Sequence, residues 1–312
     1  MSIEINYKSK TSIVPSTNLV LFSNDKFKIN GLKKYLSETE YSYISDLLKT
    51  SDLKKNLFIF ELTSKRKIVL ISIKDEIKTF DIENLGAEFY NRVNYGKDTE
   101  YFINSDTVNS KQENFLGHFL HGLKLKSYEF KKYKTKKDKR AITINIFGNK
   151  NKPSNNSQIK FKALEEGTFF ARDLVSEPGN ILHPDEYAKR IGDLKKYGLK
   201  ISIYDKKKLK KLGMNALIGV GQGSIRGSYL VTMEWKGLKN DSKPLAFVGK
   251  GVCFDTGGYS LKPAKFMEDM TYDMAGSAVV VGLMKNFALR KSKINAVGVV
   301  GLVENMPGSN AQ

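Results

Sequence analysis

Short apolar runs punctuate the chain, and their spacing predicts its elements. Residues 57–62 and 68–73 are rich in Ile, Phe and Val and flank the polar stretch 63–66, the pattern of two strands joined by a turn. Residues 82–93 and 112–125 carry apolar positions at helical spacing, and 141–147 alternates Thr with Ile as a strand does. Residues 148–158, rich in Asn, Lys, Ser and Pro, read as a linker or long loop. A domain boundary is expected there or in the helix that follows, 159–175. The breakers Glu177-Pro178-Gly179-Asn180 end that helix, and Pro184-Asp185-Glu186 opens another with proline first and acids in its first turn. From there the pattern alternates: strand 200–204, helix 206–212, strands 229–235 and 245–248, helix 277–289, strand 296–302. The expected fold class is therefore α/β. An α/β domain at 1–158 precedes a second at 159–312, whose sheet is mixed and partly parallel. After 302 the pattern runs into a loop with no covering element, so that sheet is expected to be incomplete at its C-terminus and open at an edge.

Composition narrows the classes. Hydrophobic residues make up 40% of 312, enough for two ordinary cores and too many for wholesale disorder. No run of 18 apolar residues occurs, and the first seven residues hold no apolar signal segment, so no membrane partner is expected. One cysteine, Cys253, excludes an internal disulfide and suits a reducing compartment. The net charge of +19 permits attraction to nucleic acid, but the lysines are scattered. The one dense run is Lys131, Lys132, Lys134, Lys136, Lys137, Lys139 and Arg140, which a solvated connection explains.

Candidate chemistry lies in Val248-Gly249-Lys250-Gly251-Val252-Cys253-Phe254-Asp255-Thr256-Gly257-Gly258-Tyr259-Ser260-Leu261-Lys262-Pro263 and in Met267 to Ala278 just beyond. Asp255 and Asp273 stand at the ends of apolar elements, where a carboxylate is costly unless a cation compensates it. Oxygen ligands of this kind suit Zn, Mn or Mg. Lys250 and Lys262 flank Asp255. One could be neutral and ligate a metal, the other charged and able to stabilise an oxyanion. Spacing alone is equally compatible with a loop of salt bridges and tight turns.

The stretch resembles the signature of the leucyl aminopeptidase family, V-G-K-G-x-x-F-D-[ST]-G-G-x-x-[IL]-K-P followed by M-x-x-M-x-x-D-M-x-G-[AS]-A. The flanks match as well. Ala171-Arg172-Asp173-Leu174 through Asn180 resembles the opening of the family's catalytic domain. Gly213-Met214 through Ser224 resembles its glycine-rich turn, residues 230–235 its L-V-x-M-E-W strand, and Glu304-Asn305-Met306-Pro307 its E-N-M-P loop. The resemblance is sharp from about Phe161 onward and faint before it, where the family carries a variable N-terminal α/β domain. It implies a cytoplasmic metallo-aminopeptidase that removes N-terminal, leucine-type residues from peptides through a hydroxide bound by two divalent ions, Mn or Zn. Lys250, Asp255 and Asp273 would be metal ligands, with Asp255 bridging. Lys262 would be the catalytic cation, and Met270 would line the pocket for the first side chain. A homohexamer is expected for the full-length protein. The family's next motif, N-T-D-A-E-G-R, is absent, so the chain is read as C-terminally truncated, holding part of a site and close to inactive alone. Tyr259 and Thr271 depart from the usual residues and affect the pocket's shape rather than the ligands.

Other candidates are weaker. His118 and His121 share a helix face without further ligands nearby and read as packing or surface residues. His183 reads as a loop residue and Cys253 as a small packed thiol. Gly219, Gly221 and Gly223 do not form a dinucleotide fingerprint, and Gly249-Lys250 lacks the first glycine of a phosphate loop. The alternatives to a peptidase are a DNA-binding accessory role carried by the basic surface and a small-ligand module in the N-terminal domain. No motif supports either.

Overall fold

The protein is described by a computed structural model covering residues 3–8, 17–94, 99–135, 141–239 and 242–308. It divides into two compact units, Met1–Phe161 and Lys162–Gln312. Part of the basic run, residues 136–140, lies outside the described residues.

In the first unit, strands β1 (Ile3–Tyr7), β2 (Leu19–Asn24), β3 (Leu57–Thr63), β4 (Arg66–Ile73), β5 (Glu100–Asn104) and β6 (Ile142–Phe147) form one sheet in the order β1-β6-β5-β2-β4-β3. Every neighbouring pair is parallel except the hairpin β3–β4. Alternation along β2 sends Val20 and Phe22 to one face and Leu19 and Leu21 to the other, so both faces are apolar, as a parallel sheet requires. One face packs on helices α2 (Thr79–Val93) and α3 (Phe115–Lys126), the other on α1 (Glu38–Thr50). Ser37 and Glu40 close a capping box at the start of α1. The Glu40 carboxylate also takes Nε and Nη2 of the buried Arg66, at 2.5 and 3.3 Å. Burial alone would raise the Glu40 carboxyl, but Arg66 and Ser37 outweigh it and hold it below its ordinary value of 4.5. Helices α2 and α3 cross at glycine: a Cβ on Gly86 would run into the carbonyl of Phe119, and one on Gly122 into that of Glu83.

The boundary falls within α4 (Asn155–Ser176), which starts inside the stretch whose composition suggested a linker. Ser154 explains the earlier start. Its Oγ accepts from the backbone N of Ser157 at 3.2 Å, a helix-capping bond that outweighs the polar composition.

In the second unit, α5 (Pro184–Gly192), β7 (Lys200–Tyr204), α6 (Lys206–Lys211), α7 (Asn215–Val220), β8 (Tyr229–Lys236), β9 (Leu245–Asp255), α8 (Ala264–Met267), α9 (Ala275–Leu289) and β10 (Asn295–Asn305) follow. The sheet order is β7-β8-β10-β9, with only β9–β10 parallel. Its core gathers Val231, Met233, Ala296, Val300 and Leu302 against Tyr187, Val281 and Met284 of α5 and α9. Trp235 of β8 donates its indole N–H to the carbonyl of Ser292 at 2.9 Å. Helix α9 crosses α4 at Gly282 and Gly167, where each glycine's missing Cβ admits the other's carbonyl.

Two sequence expectations are corrected. Strand β9 does not end at 248 but runs to Asp255, and β10 runs past 302 to Asn305. The glycines made the first look like a loop. Gly249 instead sits in the strand because α9 approaches there: a Cβ would lie 2.6 Å from Cα of Ser277. β10 is internal, and β9 is an edge with no partner on its far side among the described residues.

Candidate metal centre

The carboxyl ends of the parallel pair β9 and β10 lie side by side, with Asp255 in register with Asn305. That places Asp255 where strand order gives way to loop, the usual position for functional groups on such sheets. Asn305 donates its Nδ2 to Asp255 Oδ1 at 2.7 Å, and its carbonyl accepts from both N and Oγ1 of Thr256 at 2.9 Å. The loop 256–263 turns back at Gly257 and Gly258, both at positive φ. Gly257 N donates to Asp255 Oδ1 at 2.9 Å, and Lys262 Nζ donates to Asp255 Oδ2 at 2.8 Å. Burial would raise the Asp255 carboxyl, but the bonds from Lys262, Gly257 and Asn305 outweigh it, so the group lies below the usual carboxylate range.

Asp273 ends a short 3-10 turn, Glu268–Tyr272, just ahead of α9. Its Oδ1 accepts from Lys250 Nζ at 2.7 Å. Its Oδ2 is buried with no hydrogen-bond partner. An orphaned carboxylate oxygen is expensive unless something electropositive meets it. The structure thus joins Lys250 with Asp273 and Lys262 with Asp255, each carboxylate carrying one ammonium. Met270 lies half-buried in the same 3-10 turn.

Two neighbouring segments brace the site. Ser224, at the end of the glycine-rich turn, donates to Glu304 at 2.6 Å, and Tyr259 donates to the carbonyl of Gly308 at 2.9 Å. Asn305 is the site residue that a reading by motif left without a role. Its signal was the strand register, hidden while β10 seemed to end at 302.

The histidines do not gather into a site. His118 pairs with Glu83 at 3.0 Å, and His118 and His121 both pack on Phe161. His183 caps α5 by accepting from Glu186 N. Cys253 is buried, and burial pushes its thiol up. No three of His, Cys, Asp and Glu cluster among the described residues in a way that could hold a metal. Any ion here would rest on Asp255 and Asp273 with lysine nitrogen. Of these, Asp273 suits a divalent cation, because its Oδ2 is buried and unmatched.

Residues 169–312 match the catalytic domain of the cytosol aminopeptidase family. The match is confined to this stretch. A probable cytosol aminopeptidase of Brucella ovis is 51% identical over 197 residues, 61% of this chain and 40% of that protein. That of Phytoplasma australiense is 52% identical over 197 residues, 62% of this chain and 40% of its own length. The chain thus spans about 40% of the length of the curated relatives it matches. The fold is similar to that of a cytosol aminopeptidase from Coxiella burnetii, with a TM-score of 0.75 and 19% identity over 98% of this chain and 62% of that one. It is also similar to the bottromycin maturation enzyme BotP in complex with Mn, with a TM-score of 0.76 and 21% identity over 95% of this chain and 61% of that one. No described helix is long and apolar enough to cross a membrane.

Proposed function

We propose that this chain carries part of the metal site of an aminopeptidase that removes N-terminal, leucine-type residues from peptides with two divalent ions, Mn or Zn. The observation that carries the reading is Asp273, held by Lys250 through one oxygen and left with the other buried and unmatched, while Asn305 and Gly257 lock Asp255. Divalent ions held there supply Lewis acidity toward a peptide carbonyl and activate water. Asp255, Asp273 and Lys250 would hold them. Asn305 and Gly257 fix the Asp255 rotamer, so the carboxylate needs no reorganisation. Lys262 keeps a cation beside that carboxylate, where it stabilises negative charge developing on the carbonyl oxygen. Met270 offers an apolar wall to the first side chain. Assembly of the full-length protein as a homohexamer and a cytoplasmic location belong to the same reading.

The direct test is a manganese titration of this chain followed by electron paramagnetic resonance. Asp255→Ala and Asp273→Ala should each weaken binding at least ~10-fold. Unchanged affinity in both variants would overturn the site. In a chain extended to the length of its relatives, leucyl peptides with a free amine should be cleaved and N-acetylated ones spared. Lys262→Ala should there cost roughly 10²–10³ in turnover while metal content holds.

A further inference from the structure

The first unit has its own point where chemistry is expected, and the aminopeptidase reading makes no use of it. From β2 the chain moves outward through α1 and β3 to β4. It then crosses back with α2 to β5 on the other side of β2 and continues outward through α3 to β6. The connections therefore diverge between β2 and β5. In sheets of this kind, ligands settle outside the carboxyl ends of the strands at such a switch point.

Two observations mark that edge. Asn104, the last residue of β5, is 1% exposed, and Ser105 next to it is 0% exposed. Asn104 uses its Oδ1 to accept from Asp106 N at 3.0 Å, but its Nδ2 has no partner, and neither does Ser105 Oγ. Buried donors are rarely left so, and each unmatched one asks for a missing acceptor. The neighbouring turns are knit around these atoms. Thr107 Oγ1 accepts from Phe22 N on β2 and donates to the Asn104 carbonyl, while Asp106 Oδ1 accepts from the backbone N of Asn149 and Lys150 after β6, both at 2.7 Å. Backbone in the left-handed region collects on the same edge: Phe27 after β2, Asn114 after β5, Gly148 and Asn151 after β6. A Cβ on Gly148 would run into Ser105 Oγ, so only glycine fits beside that hydroxyl. The loops that follow β1, β2, β5 and β6 bring Lys8, Lys26, Lys28, Lys111, Lys150 and Lys152 to this edge against Asp25, Asp106 and Glu113. Lys152 Nζ reaches the carbonyl of Lys8 at 2.7 Å, which ties two of these loops together. The edge therefore offers unmatched neutral donors inside a mainly cationic rim, and that suits an acceptor-rich anion.

We propose that the carboxyl edge of the β2–β5 switch point binds a phosphorylated small molecule of nucleotide size, with Asn104 Nδ2 and Ser105 Oγ donating to it. The test is calorimetric titration of the whole chain with ADP and, separately, with pyrophosphate. Binding of ADP is expected, and binding of pyrophosphate as well would assign the contact to the phosphates. Asn104→Asp, which keeps the shape and adds a negative charge, should weaken binding at least ~10-fold. Hydrogen exchange on the wild-type chain provides a readout that does not depend on the variants folding. Added ADP should slow the amides of Ser105–Thr107 and of Asn149 and Lys150. If neither probe binds at millimolar concentration, the two orphaned atoms belong to a buried water and the proposal falls. Protection confined to other parts of the chain, or undiminished binding by folded Asn104→Asp, would overturn it equally.

Discussion

The two units use the same ingredients to different ends. In the first, β4 is hydrogen-bonded on both sides, and helices cover both faces of the sheet. In the second, the apolar cluster lies against α5 and α9, and among the described residues β9 is bonded only to β10, with Val248 79% exposed along it. The end of that edge strand carries Asp255. A carboxylate that must meet ligands gains from a strand end that neighbours do not crowd, and stability is left to the better-covered parts of the fold.

Hydrogen exchange should show the largest difference. Amides of β4 should exchange only through global opening, a matter of about 5 kcal/mol or more, while the β9 amides that point away from β10 exchange close to the unprotected rate. Strong protection along the whole of β9 would break the comparison by showing a covered edge. Truncation should follow the same order. Phe119→Ala, which removes a fully buried ring packed on Phe22 and Phe89, should cost about 3–5 kcal/mol in urea denaturation followed by circular dichroism. Val248→Ala should stay within about 0.5 kcal/mol. A large loss at Val248 would mean that this residue is packed in solution.

The helix crossings sharpen the contrast, because there the two units should agree. Gly86→Ala and Gly282→Ala each push a methyl into a backbone carbonyl and should each cost about 1–3 kcal/mol. A neutral Gly282→Ala would show that α4 and α9 can separate where α2 and α3 cannot. The smallest effect is a pH dependence in the first unit. The Glu40 carboxyl is depressed in the folded state, so its contribution is present above the unfolded value of 4.5 and is lost as pH falls through the lower folded value. Glu40→Gln should therefore lower stability at pH 7 and flatten the acid limb below about pH 5. Parallel acid limbs for both proteins would place the acid sensitivity elsewhere.

Sequence pattern carried the hairpin β3–β4, helices α2, α3 and α9, and the alternation of the second unit. Periodicity is strong where one face is buried. It missed β1, β2, β5 and α1. β2 is buried on both faces, so its apolar run has no alternation to read, and α1 buries only Ile44 and Leu48. Helix α1 did leave a signal, the spacing of Ser37 and Glu40. At the site, Lys250, Asp255, Lys262 and Asp273 were legible by resemblance, but their pairing was not. Whether Lys250 meets Asp255 or Asp273 depends on where β9 ends, and Gly249 and Gly251 disguised that end as a loop.

Trp235 is the chain's only tryptophan, and it sits in β8 with its indole tied to Ser292. Light absorbed by indole alone is therefore emitted from the second unit and never from the first. The protein carries a built-in reporter for one of its halves. If denaturation followed by tryptophan emission and by circular dichroism gives two different midpoints, the halves melt separately. If the curves coincide, the 22-residue helix α4 that joins them transmits the loss of one to the other.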